Sequence, residues 1–186
     1  MGIVRGGDAE YEEFEPSYEE KAEKLEAIIK PLLEENPGSL KLSGKYIATD
    51  EINIIGNYSP IKAVRSLDLS DNQINDEALK SLFESDNLSG LEELYLQINF
   101  LTGKGLSEIA KSENVKLKNL KVLVLSDNRF SDSSIAEFLF SPNFQNLESL
   151  DVGWNEAGNE TAEALGATTT FPNLKRLKME RSYIEE

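Results

Sequence analysis

Three stretches of the chain carry residue types that could do chemistry. Thr102-Gly-Lys-Gly105 sets a lysine between glycines, as a phosphate-cradling loop does. That loop also needs a glycine five residues before its Gly-Lys pair and a Ser or Thr after it, and neither is present. The stretch reads instead as a helix entry in which glycine permits positive φ. Ser70-Asp-Asn and Ser126-Asp-Asn offer too few oxygens at the spacing a calcium loop requires. Asp68 and Asp151 could act as an acid and base pair only if the fold brought them within roughly 5–10 Å.

Composition narrows the chemistry further. The chain has 186 residues, enough for one ordinary domain, and contains neither histidine nor cysteine. A Ser–His–Asp triad, a histidine-ligated metal, a thiolate zinc site, an iron–sulfur cluster and a disulfide framework are all excluded. With 34 acidic against 19 basic residues the formal charge is −15, so most of the surface repels nucleic-acid phosphates and acidic membranes. No stretch approaches the ~18 apolar residues of a membrane span, and the first residues lack a signal-peptide core. The expectation is a cytoplasmic chain.

The elements that must position any site come from an internal repeat. Leu67-Asp-Leu-Ser-Asp-Asn72-Gln-Ile74, Leu94-Tyr-Leu-Gln-Ile-Asn99-Phe-Leu101, Leu123-Val-Leu-Ser-Asp-Asn128-Arg-Phe130 and Leu150-Asp-Val-Gly-Trp-Asn155-Glu-Ala157 share L-x-L-x-x-N-x-L. Val64, Leu91, Leu120 and Leu147 stand three residues upstream of each, and weaker copies begin at Leu40 and Leu177. Successive copies lie 27, 27, 29, 27 and 27 residues apart. Alternating leucines place both side chains on one face of a short strand, and the fixed asparagine can bond backbone groups left unpaired where the strand turns away. A connection of about twenty residues returns each strand to the same edge, which gives a parallel sheet and leaves room for a helix.

Helical patterns fill those connections. Asn75-Asp-Glu caps a stripe of Ala78, Leu79, Leu82 and Phe83. Leu106, Ile109 and Ala110 repeat it, as do Ile135, Phe138 and Leu139, then Ala162, Ala164 and Leu165. The segment 50–58 is expected to give one or two helical turns, limited by Pro60. Upstream, Ser17-x-x-Glu20 is a capping box for a stripe of Tyr18, Ala22, Leu25, Ile28, Ile29, Leu32 and Leu33, with Pro31 expected to kink or break it.

This pattern resembles the leucine-rich repeat family over about residues 39–184, and its period is similar to the long, ribonuclease-inhibitor-like class. Phe140-Ser-Pro-Asn-Phe-Gln-Asn-Leu-Glu-Ser-Leu150 looks like bacterial members of that class. The resemblance implies a right-handed α/β solenoid with a parallel concave sheet, convex helices and a function in protein interaction. The expected organisation is an acidic flexible segment over 1–16, a cap helix over 17–38 and the repeats over 39–186, the last one incomplete.

In this register Asp68 and Asp151 lie three strands apart, roughly 14 Å at ~4.8 Å per strand, too far for paired glycosidase carboxylates. No catalytic constellation, metal site or cofactor site emerges, and the chain is expected not to be an enzyme. The outward columns of the sheet supply a binding surface instead. Tyr95, Val122 and Val124 form an apolar centre, with Asp68 and Glu93 on one side and Asp151, Arg176 and Lys178 on the other; Trp154 stands near the strand ends. An apolar centre in a charged rim suits a protein or peptide partner, one with a basic surface given the acidity of the chain. Alternatives are a regulator of a small GTPase, because activators of Ran are built from similar long repeats, a segment of a larger leucine-rich-repeat receptor, and a bacterial effector delivered into a host cell.

Overall fold

The computed structural model describes residues 16–180. The proposed flexible segment, except Pro16, and the Ser182–Ile184 part of the last repeat lie outside the described residues.

Each L-x-L pair forms a three-residue strand: β1 Ser39–Lys41, β2 Ser66–Asp68, β3 Glu93–Tyr95, β4 Val122–Val124, β5 Ser149–Asp151 and β6 Arg176–Lys178. They build one parallel sheet in chain order, with Leu40, Leu67, Leu94, Leu123, Leu150 and Leu177 in register across it. The first five of these leucines are fully buried, as are Leu42, Leu69, Leu96, Leu125 and Val152 two residues on. Leu177, on the outermost strand, is only partly covered.

Helices line the opposite side: α1 Tyr18–Glu35, α2 Thr49–Asn57, α3 Asp76–Phe83, α4 Gly103–Lys111, α5 Asp132–Phe138 and α6 Asn159–Ala167. Neighbours α2 to α6 pack in sequence, and α1 packs on α2 and β1 through buried Leu25 and Ile29, closing the apolar end of the first repeat. The arrangement is an α/β leucine-rich-repeat solenoid with an N-terminal helical cap.

The predicted capping box is present, Glu20 N–H donating to Ser17 Oγ and Ser17 N–H to Glu20 Oε2. Three expectations need correction. Pro31 does not interrupt α1, which runs unbroken to Glu35; the burial of Leu25 and Ile29 anchors the turns before the proline and Asn36 N–H closes the helix on Leu32. Thr161, not Ala162, turns into the core beside Ala164, because its hydroxyl donates to Asp132 Oδ1 at 2.6 Å while Ala162 is exposed. Gly103 and Gly105 lie inside α4 and neither has positive φ; what they permit is close approach, Gly103 to Ser134 and Gly105 to the Asp76 carboxylate.

The asparagines form a ladder that locks the repeats together. Asn72 Oδ1 accepts from Lys45 N–H and Ile47 N–H, and its Nδ2 donates to the carbonyls of Leu42, Leu69 and Ser70. Asn99, Asn128 and Asn155 repeat this, each accepting from the preceding repeat and donating to carbonyls on both sides. Asn128→Ala strips Leu101 N–H and the carbonyls of Leu96, Leu125 and Ser126 of a partner. It is expected to lower stability by about 1–3 kcal/mol, read from urea unfolding.

A second lock joins the helix starts. Asp76 accepts from Thr102 N–H and Thr102 Oγ1, the N-cap of the next helix, and Asp132 accepts from Gly158, Glu160 and Thr161 N–H groups and from Thr161 Oγ1. Burial pushes the Asp132 carboxyl up, but the Thr161 hydroxyl and the three backbone donors outweigh it and hold the group below the usual carboxylate range.

Candidate protein-binding face

A strand residue between two inward leucines must point the other way, so the register itself builds the outer face of the sheet. The central column runs Lys41, Asp68, Tyr95, Val124, Asp151 and Lys178 across β1 to β6, and the column before it Ser39, Ser66, Glu93, Val122, Ser149 and Arg176. The sequence-derived candidates Asp68, Glu93, Tyr95, Val122, Val124, Asp151, Arg176 and Lys178 therefore share one surface. Asp68, Glu93, Tyr95, Val122, Val124 and Asp151 are half-buried, while Arg176 and Lys178 on the edge strand are exposed. Asp68 and Asp151 are separated by β3 and β4 and form no pair.

Polar contacts fix the acidic half of this surface. Glu93 Oε2 accepts from Ser66 Oγ at 3.0 Å and from Tyr95 Oη at 3.1 Å, which sets the phenol beside the carboxylate. Burial raises the Tyr95 hydroxyl above its ordinary range, and the charge of Glu93, the hydrogen bond to it and the charge of Asp68 add to the rise, so Tyr95 stays a neutral donor. Asp68 Oδ1 accepts from Ser70 N–H and Ser70 Oγ, and Asp151 Oδ1 from Gly153 N–H while Lys178 Nζ stands 3.9 Å from Asp151 Oδ2. Val122 and Val124 lie next to Glu93 and Tyr95 in the register with no polar group of their own to satisfy. Gln97, one column further on, keeps a buried Oε1 that accepts no hydrogen bond.

Trp154 is not on a strand. It follows β5 in a loop, has φ of +56° and is 51% exposed, so it is not part of the core.

One row of residues escaped the sequence reading. Arg65, Glu92, Lys121, Glu148 and Lys175 occupy the same repeat position just ahead of the strands and alternate in sign. Lys121 Nζ meets Glu92 Oε2 at 2.6 Å and Lys175 Nζ meets Glu148 Oε2 at 2.7 Å. The hydrogen bond from Lys121, then its charge, lowers the Glu92 carboxyl, and Lys175 does the same for Glu148. The signal was present in the register, since opposite charges one strand apart stand ~4.8 Å from each other along the sheet. These pairs are solvated and bear on repeat registry more than on stability.

Among the described residues no helix is long and apolar enough to cross a membrane, and no three acidic side chains gather where they could hold a metal ion. The geometry offers a surface for contact.

Comparison with known proteins agrees with this architecture. A Leucine Rich repeat family model matches residues 64–83 and 145–166, and a second, Leucine Rich Repeat, matches residues 119–141. Leucine-rich repeat-containing protein 42 of Xenopus laevis is 36% identical over 119 residues, 61% of this chain and 27% of that protein. Its counterpart in Xenopus tropicalis is 36% identical over 118 residues, so the match spans about a quarter of either relative. Among solved structures, leiomodin-1 actin-binding site 2 superposes with a TM-score of 0.51 at 16% identity, covering 86% of this chain and 90% of that one. An internalin from Listeria monocytogenes reaches a TM-score of 0.48 at 25% identity, covering 72% and 33%. The matched segments and the observed repeat agree with the leucine-rich-repeat solenoid described above.

Proposed function

We infer that the chain is a non-enzymatic interaction module that holds a protein or peptide on the concave face of its sheet. The observation that carries this is the apolar centre of Tyr95, Val122 and Val124, half-exposed in the middle strands and bordered by Asp68 and Glu93 on one side and by Asp151, Arg176 and Lys178 on the other. An aromatic with a rigid ring, a polar tip and an apolar surround is the composition of a binding hot spot. A charge of −15 favours a partner with a basic surface and disfavours nucleic acid. The repeat period of 27 to 29 supports the ribonuclease-inhibitor-like class, and a chain without cysteine has no need of an oxidising compartment, which suits the cytoplasm.

Affinity capture with quantitative mass spectrometry tests the reading. Tyr95→Ala combined with Val124→Asp is expected to reduce recovery of the specific partner by about tenfold or more, while Glu163→Ala on the outer side of α6 leaves it unchanged. Undiminished recovery by a folded double variant would remove the concave face from the account.

A further inference from the structure

One loop position recurs at the end of every strand but the last described one. Gly44, Asp71, Ile98, Asp127 and Trp154 each stand one residue before the ladder position, and all have φ between +54° and +65°. Each donates its N–H to the next repeat, to the carbonyls of Ser70, Gln97, Ser126, Gly153 and Glu180 at 2.9–3.2 Å, so the five stand in line at the spacing of the sheet. Glycine and aspartate accept this left-handed backbone readily; a β-branched isoleucine and a bulky tryptophan do not. Burial does not offset the strain, because Ile98 is 49% exposed and Trp154 51%. The repeat requires the left-handed backbone here but not these two side chains, since glycine or aspartate serves at the other positions, and bulky apolar residues kept at a strained, exposed site point to use by a partner.

The neighbourhood has the same character. Of the seven large hydrophobic residues exposed among the described residues, four lie on this rim: Tyr46, Ile98, Phe100 and Trp154. The Arg129 guanidinium lies 5.3 Å from the Phe100 ring centroid, and Ile98, Phe100, Asp71, Asp127 and Arg129 line a groove of about 260 Å³. Along the rim the exposed residues alternate Asp71, Ile98, Asp127, Trp154, an acid and then an apolar group.

The spacing selects the shape of the partner. At ~4.8 Å per strand, Ile98 and Trp154 stand about 10 Å apart with Asp127 midway. A β-strand returns a side chain to one face every ~6.7 Å, which does not match. A polyproline II segment rises ~3.1 Å per residue with three residues per turn, and so returns one every ~9.3 Å. We propose that this rim binds an extended, polyproline-II-like peptide segment with an apolar side chain at every third residue, seated on Ile98 and Trp154, and with lysine or arginine between them facing Asp71 and Asp127. The proposal rests on the chain being an interaction module and extends its surface from the concave face to the adjoining rim. Asp68, Glu93 and Asp151 on that face add to the negative field that draws a basic segment in.

The probe is a fluorescein-labelled peptide of four Pro-Leu-Arg repeats, followed by fluorescence anisotropy against four repeats of Pro-Leu-Glu and six of Leu-Arg. The Pro-Leu-Arg peptide is expected to bind at least about tenfold more tightly than either comparator. Ile98→Asn with Trp154→Asn is expected to cut that binding about tenfold or more, and to raise Tm by roughly 2–4 °C because asparagine suits the left-handed backbone. Asp71→Asn with Asp127→Asn weakens binding and flattens its salt dependence, whereas Glu163→Ala, at an exposed position of α6, leaves the peptide's affinity within about twofold. Equal binding of the three peptides, or binding indifferent to the rim variants, would overturn the proposal. A Tm that falls in the asparagine variant would overturn its strain argument. Partner capture that still depends on Tyr95 and Val124 would then leave the concave-face reading standing alone; peptide binding that needs the rim while capture ignores Tyr95 and Val124 would do the reverse.

Discussion

Phe144→Ala is expected to lower the free energy of unfolding by about 3–5 kcal/mol, the largest loss of any single truncation considered. Phe144 ends the short 3₁₀ turn Pro142–Phe144, is 1% exposed, and packs edge-on against Phe83 of α3 at 5.7 Å and at a 31° tilt against Phe138 of α5 at 4.8 Å between ring centroids. Phe138 in turn meets Phe171 at 5.9 Å. One ring thus links α3 to α5 across the repeat that carries α4. Removing it takes away area burial, the aromatic pair geometry and a volume the flanking helices cannot easily close over. Phe140→Ala, four residues away and 52% exposed, is expected to stay within about 0.5 kcal/mol of the wild type. Urea unfolding of the two variants side by side decides the matter; equal losses would contradict the packing described.

The second large effect is at the leucine spine. Leu123 is fully buried and stands in register between Leu94 and Leu150, with strands on both sides. Leu123→Ala is expected to cost about 2–5 kcal/mol. Leu177→Ala, on the outermost strand and partly exposed, is expected to cost distinctly less, since its side chain has less surface to lose. Thermal melts giving the two the same penalty would mean that the repeat register is wrong.

How much of this was legible in the chain differs from element to element. The strands, the leucine columns and the asparagine ladder could be read directly, because one physical demand, that each copy bury the same two side chains and close the same backbone gap, is met about every 27 residues. That the candidates share the outward face of the sheet followed too, since alternation alone decides which side of a strand a residue takes. Phe83 and Phe138 fell on the helical stripes, and the Phe144 position recurs at the repeat period as Ile61, Leu88, Leu117 and Phe171, all buried, but the ring contacts among them were not legible, because periodicity does not say which side chains of different repeats touch. Neither were the Asp76 and Asp132 locks, which depend on one helix start standing over the next. Thr161 in place of Ala162 is the same failure in miniature, a hydroxyl entering the core because a neighbouring repeat offers it a carboxylate. Ile98 and Trp154 mark the sharpest contrast. Residue preference argues against both at a left-handed position, and that conflict, visible only once the backbone is known, is what singles out the rim.

The central claim is that recognition occurs on the face where the sheet turns its outward columns to solvent. Hydroxyl-radical footprinting of the chain, free and bound to its captured partner, reads that face through its aromatic side chains. The account predicts that Tyr95 is protected in the complex while Phe140, exposed beyond the end of α5, reacts as in the free chain. Protection of Phe140 with Tyr95 left fully reactive would place the partner on the helical side and contradict it.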